Sequence, residues 1–358
     1  MREGKRVETL IEKHRNFFDL ADTDRPLFGI RRQWDHLPPS FLLESLGRGA
    51  LVRPEDLDFG PFLNWYETFL EEDACIPDDT FHPAKPYFSI PWMEAMLGCS
   101  VRLHSTTMYP EPVLDSWDRL GELDFSLGNA WFHKLLEFTR SLVERFGSEF
   151  PLCTTMLRGP GDLMAALRGR QRFCLDLYDH PQEVKALAGR CARMWIAVTK
   201  AQLAISLPYR GGYFNRMHLW TPGTTTTPHI DFSTLISREM FNEFLLPGER
   251  DIVNSFDYPI YHTHSSSAHI FDDLLDMDNV AGIQVTVDKV GPGLSDLIQI
   301  LARVKEKKPV VVIGKFSKSD MARLADTLSP RGLCLMFWVD SIEEAQALIA
   351  WAHRTWPR

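Results

Sequence analysis

The sequence predicts an α/β protein: a (β/α)8 TIM barrel with an N-terminal helical extension and a long insertion after the second strand. Three observations carry this. Eight short apolar segments lie along the chain, nearly all separated by stretches with helical spacing. The 358 residues are many for an ordinary core but within range for one barrel. Neither an internal repeat nor a shift in composition marks a second domain, so residues 1–24 read as the extension and 25–358 as the barrel.

Residues 1–24 have the pattern of an amphipathic helix lying outside the main body. Leu27–Ile30 is the first strand and ends in Arg31, Arg32 and Gln33. Helical pieces follow the Pro38-Pro39 break, around Phe41–Leu46 and Phe62–Leu70. The segment at 74–76 is a short second strand ending near Asp78 and Asp79. The aromatic, Pro-rich stretch 80–130 is the insertion. Leu135, Phe138, Leu142 and Phe146 form a helical stripe. Pro151–Met156 is the third strand, and Asp179 with Pro181 opens a long helix. Tyr213–Trp220 reads as the fourth strand, with Arg216, His218 and Trp220 on one face. Ser237 caps a helix carrying Phe241, Phe244 and Leu245. The last four strands centre on His262, Ala281–Val287, Val310–Ile313 and Leu333–Val339. Helices at Leu294–Val304 and Met321–Leu328 separate them, and Ser341 with Glu344 opens the last helix as a capping box.

Hydrophobic residues are 44% and charged ones 24%, a soluble globular composition. The net charge of -9 and the lack of a basic run argue against a nucleic-acid or membrane-surface partner. No apolar run is long enough to span a bilayer, and the charged first residues do not form a signal peptide. Six cysteines without a CxxC pair fit reduced thiols in a cytoplasmic protein.

Active sites of such barrels sit where the strands end. The ionisable and polar groups predicted there are Arg31, Asp78, Arg158, Asp162, His218, Trp220, His229, Asp231, His262, His264, Gln284, Asp288, Lys315, Trp338 and Asp340. In Ile260-Tyr-His262-Thr-His264 the two histidines share one face of a strand, because residues i and i+2 point the same way. Imidazole nitrogen is a common ligand for zinc, so His262 and His264 are candidate halves of a metal site; the alternative is a hydrogen-bonded pair in a cleft. His229 and Asp231 repeat the spacing on a loop and extend the set to mixed nitrogen and oxygen donors. Asp231 is also an Asx-type cap candidate, and Asp162 either orients a ligand or caps a helix. Cys334 is a thiolate candidate at the start of the last strand, where a core role competes. No phosphate-loop or dinucleotide fingerprint is present.

Three stretches resemble the uroporphyrinogen decarboxylase-like superfamily, and its zinc and corrinoid methyltransferase branch in particular. They are Arg158-Gly-Pro-Gly-Asp-Leu-Met-Ala-Ala-Leu-Arg-Gly with Leu-Tyr-Asp-His-Pro-Gln-Glu-Val, then Ile236-Ser-Arg-Glu-Met-Phe-Asn-Glu-Phe-Leu-Leu-Pro, then Ile260-Tyr-His-Thr-His. Arg31 matches the first arginine of the decarboxylases, while Asp35 and Ala166 stand at the positions of their second arginine and tyrosine. His262 falls on the histidine of the methyltransferase His-x-Cys motif and His264 on its cysteine; Cys334 is the candidate for the final cysteine. The resemblance implies zinc or another divalent metal at His262, His264 and Cys334, and methyl transfer involving a small acceptor and a corrinoid protein. Of the strand-end groups, His218, His229, Asp162 and Asp231 are the candidates for catalysis, and Arg31, Arg158, Trp220, Gln284 and Lys315 for holding the substrate. A decarboxylase or lyase acting on a carboxylated substrate, and a non-catalytic binder of a corrinoid, tetrapyrrole or small ligand, are the alternatives. A homodimer is compatible with the resemblance.

Overall fold

The computed structural model describes residues 2–32, 40–86, 90–105, 107–147, 149–288 and 291–356; Gln33, Asp35 and the Pro38-Pro39 break lie outside them. In chain order the elements begin with α1 (Arg2–Phe18), β1 (Leu27–Arg32), α2 (Ser40–Leu46), β2 (Leu51–Val52), α3 (Phe59–Ala74), α4 (Trp92–Met96), β3 (Val101–Leu103) and β4 (Met108–Pro110). The middle holds α5 (Ala130–Phe146), α6 (Pro160–Arg168), α7 (Arg170–Asp179), α8 (Pro181–Ile205), β5 (Tyr213–Phe214), β6 (Trp220–Thr221) and β7 (Thr225–Thr226). Then come α9 (Arg238–Met240), a π-helical turn, α10 (Leu246–Val253), β8 (Tyr258–His264) and α11 (Phe271–Leu275). The chain closes with β9 (Gly282–Thr286), α12 (Leu294–Lys305), β10 (Val310–Gly314), α13 (Lys318–Thr327), β11 (Leu333–Val339) and α14 (Ile342–Thr355).

A six-stranded parallel sheet in the order β1-β11-β10-β9-β8-β7 curls into most of a barrel. β10 and β11 at its centre are apolar and buried along almost their whole length, as parallel strands covered by helices must be. Two extended segments complete the ring through isolated backbone contacts. Asp79 N–H donates to Phe28 O at 2.8 Å. Ala84 then bridges Leu152, and Cys153 bridges Phe214.

Three expected strands come out differently. Ala74 ends α3 and Cys75 caps it, so the second strand position is filled by the irregular segment after Ile76. Pro151–Met156 contributes only those bridges. Tyr213–Trp220 is a tight hairpin: Phe214 pairs antiparallel with Trp220, and His218 takes φ +59 at the turn. The strand beside β8 is β7 instead. The insertion folds as α4 and the β3–β4 hairpin, which pairs with β2 in a three-stranded antiparallel sheet.

The first helix is part of the body. Its Leu10, Ile11 and Phe17 are buried against the barrel's N-terminal end. Trp220 N–H donates to His14 Nδ1 at 2.8 Å, so Nε2 carries the proton and donates to Asp79 O at 2.8 Å. Burial holds this ring neutral, with its pKa lowered to about 4.

Candidate metal centre

Alternation along β8 sets the site. Tyr261 turns out to the fully buried Glu249 on α10, while His262 and His264 turn into the barrel mouth. Gln284 lies opposite His262 in the β9 register, and its Oε1 meets His262 Nδ1. Asp288, just beyond β9, accepts from His264 Nδ1 at 2.7 Å. Both rings therefore have Nδ1 engaged by an oxygen, and both present Nε2 to Asp231 Oδ1 at 3.5 Å. Asp231 opens the short helical turn after the bridge that joins His229 to His262. Asp162, in the first turn of α6, accepts from Asp231 N–H at 3.1 Å and holds this turn over the site.

These separations fit an ion. Two donors about 2.1 Å from one metal at the tetrahedral angle stand about 3.4 Å apart. They are too long for a strong hydrogen bond and right for ligands of a shared cation. The oxygen behind each Nδ1 is the outer-shell arrangement that fixes the tautomer of a ligating histidine. His229, Asp231 and His262 also place donor atoms within 4.8 Å of one another. His229 is the weaker member, because Arg216 donates to its Nε2 at 2.6 Å and a lone pair so engaged is not offered to a metal. His262 and Asp231 are thus the common core of the candidate donor set, with His264, 3.5 Å from Asp231, or His229 as the third member.

The electrostatics follow the contacts. Burial lowers the pKa of His262 to about 4, against the pull of Asp231. His264 is raised to about 9 by its bond to Asp231, with burial opposing and Asp288 adding. Burial works against ionising Asp231, yet the bond from His264 and the neighbouring imidazoles more than offset it and hold the carboxyl well below its usual range. Burial and the Asp231 charge together push Asp162 well up.

The other predicted residues are distributed as follows. His218 Nε2 lies 3.1 Å from Arg31 Nη1, and its Nδ1 is buried without a partner among the described residues. Since arginine only donates, His218 and His229 are both Nδ1–H tautomers whose basic nitrogens are taken by Arg31 and Arg216, which leaves neither ring a lone pair to act as a base. Burial, with these cations beside it, keeps each ring neutral. Arg31 is itself buried and also bonds Arg216 O. Arg158 pairs with the buried Glu94 at 2.9 Å and lines a cavity beside the site. Gln284 positions His262 rather than lining that cavity. Asp78 clasps β1, accepting from Ile30 N–H, Thr80 and His82.

Three residues fall away from the site. Trp220 is buried under α1 and donates to Tyr209 O. Cys334 pairs in register with Leu27 and Val311 at the strand's start, buried among core side chains, and stands outside the donor cluster. Lys315 is exposed and pairs with Asp340 at the rim. Asp288 was placed at a strand end by sequence reasoning but given no role on His264, and Arg216 and Glu249 were given none.

A barrel with ionisable side chains converging at its strand ends defines the class. Residues 83–205 match the family described as Uroporphyrinogen decarboxylase (URO-D). A solved methyltransferase from Methanosarcina mazei shares the fold, with a TM-score of 0.64 at 13% identity, over 96% of this chain and 98% of that one. No curated protein matches the sequence. Residues 83–205 are thus similar to that family, and the chain as a whole shares the fold of that methyltransferase. No helix among the described residues is long and apolar enough to cross a membrane.

Proposed function

We propose that this protein is a metal-dependent methyltransferase, moving a methyl group to or from a small acceptor, with a corrinoid protein as its partner. The observation that carries the reading is the pair of Nε2 atoms on His262 and His264, each backed by an oxygen at Nδ1 and each 3.5 Å from one carboxylate oxygen of Asp231. The solved neighbour bears the name methyltransferase, which supports the same direction. A bound zinc-class ion would supply Lewis acidity, keeping an acceptor oxygen or sulfur deprotonated at neutral pH. The chain's own groups hold and orient. Asp231 and the two imidazoles bind, Gln284 and Asp288 fix the rings, and Asp162 fixes the Asp231 turn.

Metal content is the test. Protein loaded with zinc and dialysed is expected to retain about one ion per chain, as a three-ligand site would. His262→Ala combined with Asp231→Asn is expected to retain almost none. Equal metal in both proteins, or none in the wild type, overturns the metal reading. A metal-bound protein that takes no methyl group from methylcobalamin, yet releases carbon dioxide from a carboxylated substrate, makes it a decarboxylase instead.

A further inference from the structure

We propose that Arg170 is the anion anchor of the substrate cavity and that the small acceptor is an amphipathic monocarboxylate. This rests on the site assigned above and names what occupies the space beside it. A cavity of about 580 Å³ runs from His229 and Asp231 out to the α6–α7 junction. That is a size for a small molecule. Two of its walls are apolar: Tyr109 and Pro112 on the insertion hairpin and its continuation, Phe232 and Leu235 on the turn that carries Asp231. Tyr109 and Leu235 are both half-exposed large side chains at its edge. Exposed apolar groups lining a cavity fit a ligand with an apolar body.

The polar lining is uneven. Asp162 and Asp231 line it with Arg158, whose charge Glu94 already answers at 2.9 Å. Arg170 lines it too, is exposed, and makes no hydrogen bond or ion pair among the described residues. Gly169, at φ +83, separates α6 from α7 and sets Arg170 as the first residue of the second helix. A side chain at that φ is strained, so glycine suits the break that aims the following residue at the cavity. One uncompensated guanidinium matches one carboxylate, which it can bind through two parallel hydrogen bonds. The rest of the acceptor would then extend along the cavity towards Asp231 and His229.

The test uses 3-phenylpropionate and its uncharged amide, 3-phenylpropanamide, titrated into the full-length protein with and without zinc. In wild type the acid is expected to bind at least about tenfold more tightly than the amide, the effect of one charge-assisted bond. Arg170→Ala is expected to bring the acid down to the amide's affinity and leave the amide unchanged; Arg170→Lys restores part of the difference. Equal affinities in wild type, no binding of either compound, or an acid preference that survives Arg170→Ala overturns the proposal. Zinc content is measured in the same samples. Loss of zinc binding with the Arg170-dependent preference intact would sink the metal reading alone. Zinc bound with no acid preference would sink this one alone.

Discussion

Asp288 stands 2.7 Å from His264 Nδ1, and Asp231 faces the opposite nitrogen of the same ring at 3.5 Å. One imidazole is thus strung between a carboxylate that steadies it and one that shares its target. Asp288 also accepts from Ser266 Oγ at 2.9 Å, so Asp288→Asn keeps the local shape while weakening the hold on the ring. This variant is expected to lose about 10–100-fold in zinc affinity, the usual cost of removing an outer-shell partner. A chelator competition titration measures it. Unchanged affinity would mean that His264 does not bind the ion.

Gly159 is where α6 meets the strand-end loop. A Cβ there would lie 1.9 Å from His229 O, a backbone atom that cannot swing aside. Gly159→Ala is expected to cost about 1–3 kcal/mol or more, because overpacking against backbone must move an element. It should also weaken zinc binding, since α6 carries Asp162 and so sets the Asp231 turn. Urea denaturation reads the first effect and metal titration the second.

His82 is buried between Asp78, 3.2 Å from Nε2, and Asp73, 3.5 Å from Nδ1. Arg32 Nε pairs with the same Asp73 at 2.6 Å. Burial opposes the charged ring, but the two carboxylates win and raise its pKa to about 10. A folded-state value above the unfolded one favours the native state most below pH about 6.5. That contribution fades as pH rises towards about 10. The urea midpoint of the wild type should therefore fall across this window. His82→Gln should have a flatter profile and lower stability at neutral pH.

Glu249 is a buried acid with one hydrogen bond, from Tyr261 at 2.9 Å, and no partner for its other oxygen among the described residues. Burial raises its pKa to about 8 despite the tyrosine. Its contribution is fully present below the unfolded value near 4.5 and is lost as pH rises through about 8. Glu249→Gln is expected to be close to wild type near pH 5 and more stable above pH 8, measured by thermal melts at both. Because His82 is untouched in this variant, its own loss of stability towards pH 10 should remain.

The later half of the barrel was legible because its strands are apolar runs, as in β10 and β11, or alternate clearly, as in β8, and helices with clear spacing separate them. β8 is the best case. Period-2 alternation put His262 and His264 on one face, and the structure keeps them there. The earlier half was not legible, for local reasons. Tyr213–Trp220 alternates like a strand, but Asn215 Oδ1 accepts from Met217 and Leu219 N–H and folds it into a hairpin. The strand that takes its place is two threonines, Thr225 and Thr226, too short for any periodicity. Cys334 shows the value of counting residues along a strand: its place at the start of β11 puts it in the floor. The state of His218 and His229 was beyond sequence reasoning, because it depends on Arg31, 187 positions from His218, and on how Arg216 turns.

His14 ties the opening helix to Trp220, 206 positions later in the chain, as well as to Asp79. The floor of the barrel is therefore a late event in the history of each molecule. Closing so long a loop is entropically costly and slow. Until the 220s are in place, His14 lacks one of the two partners that hold the opening helix down.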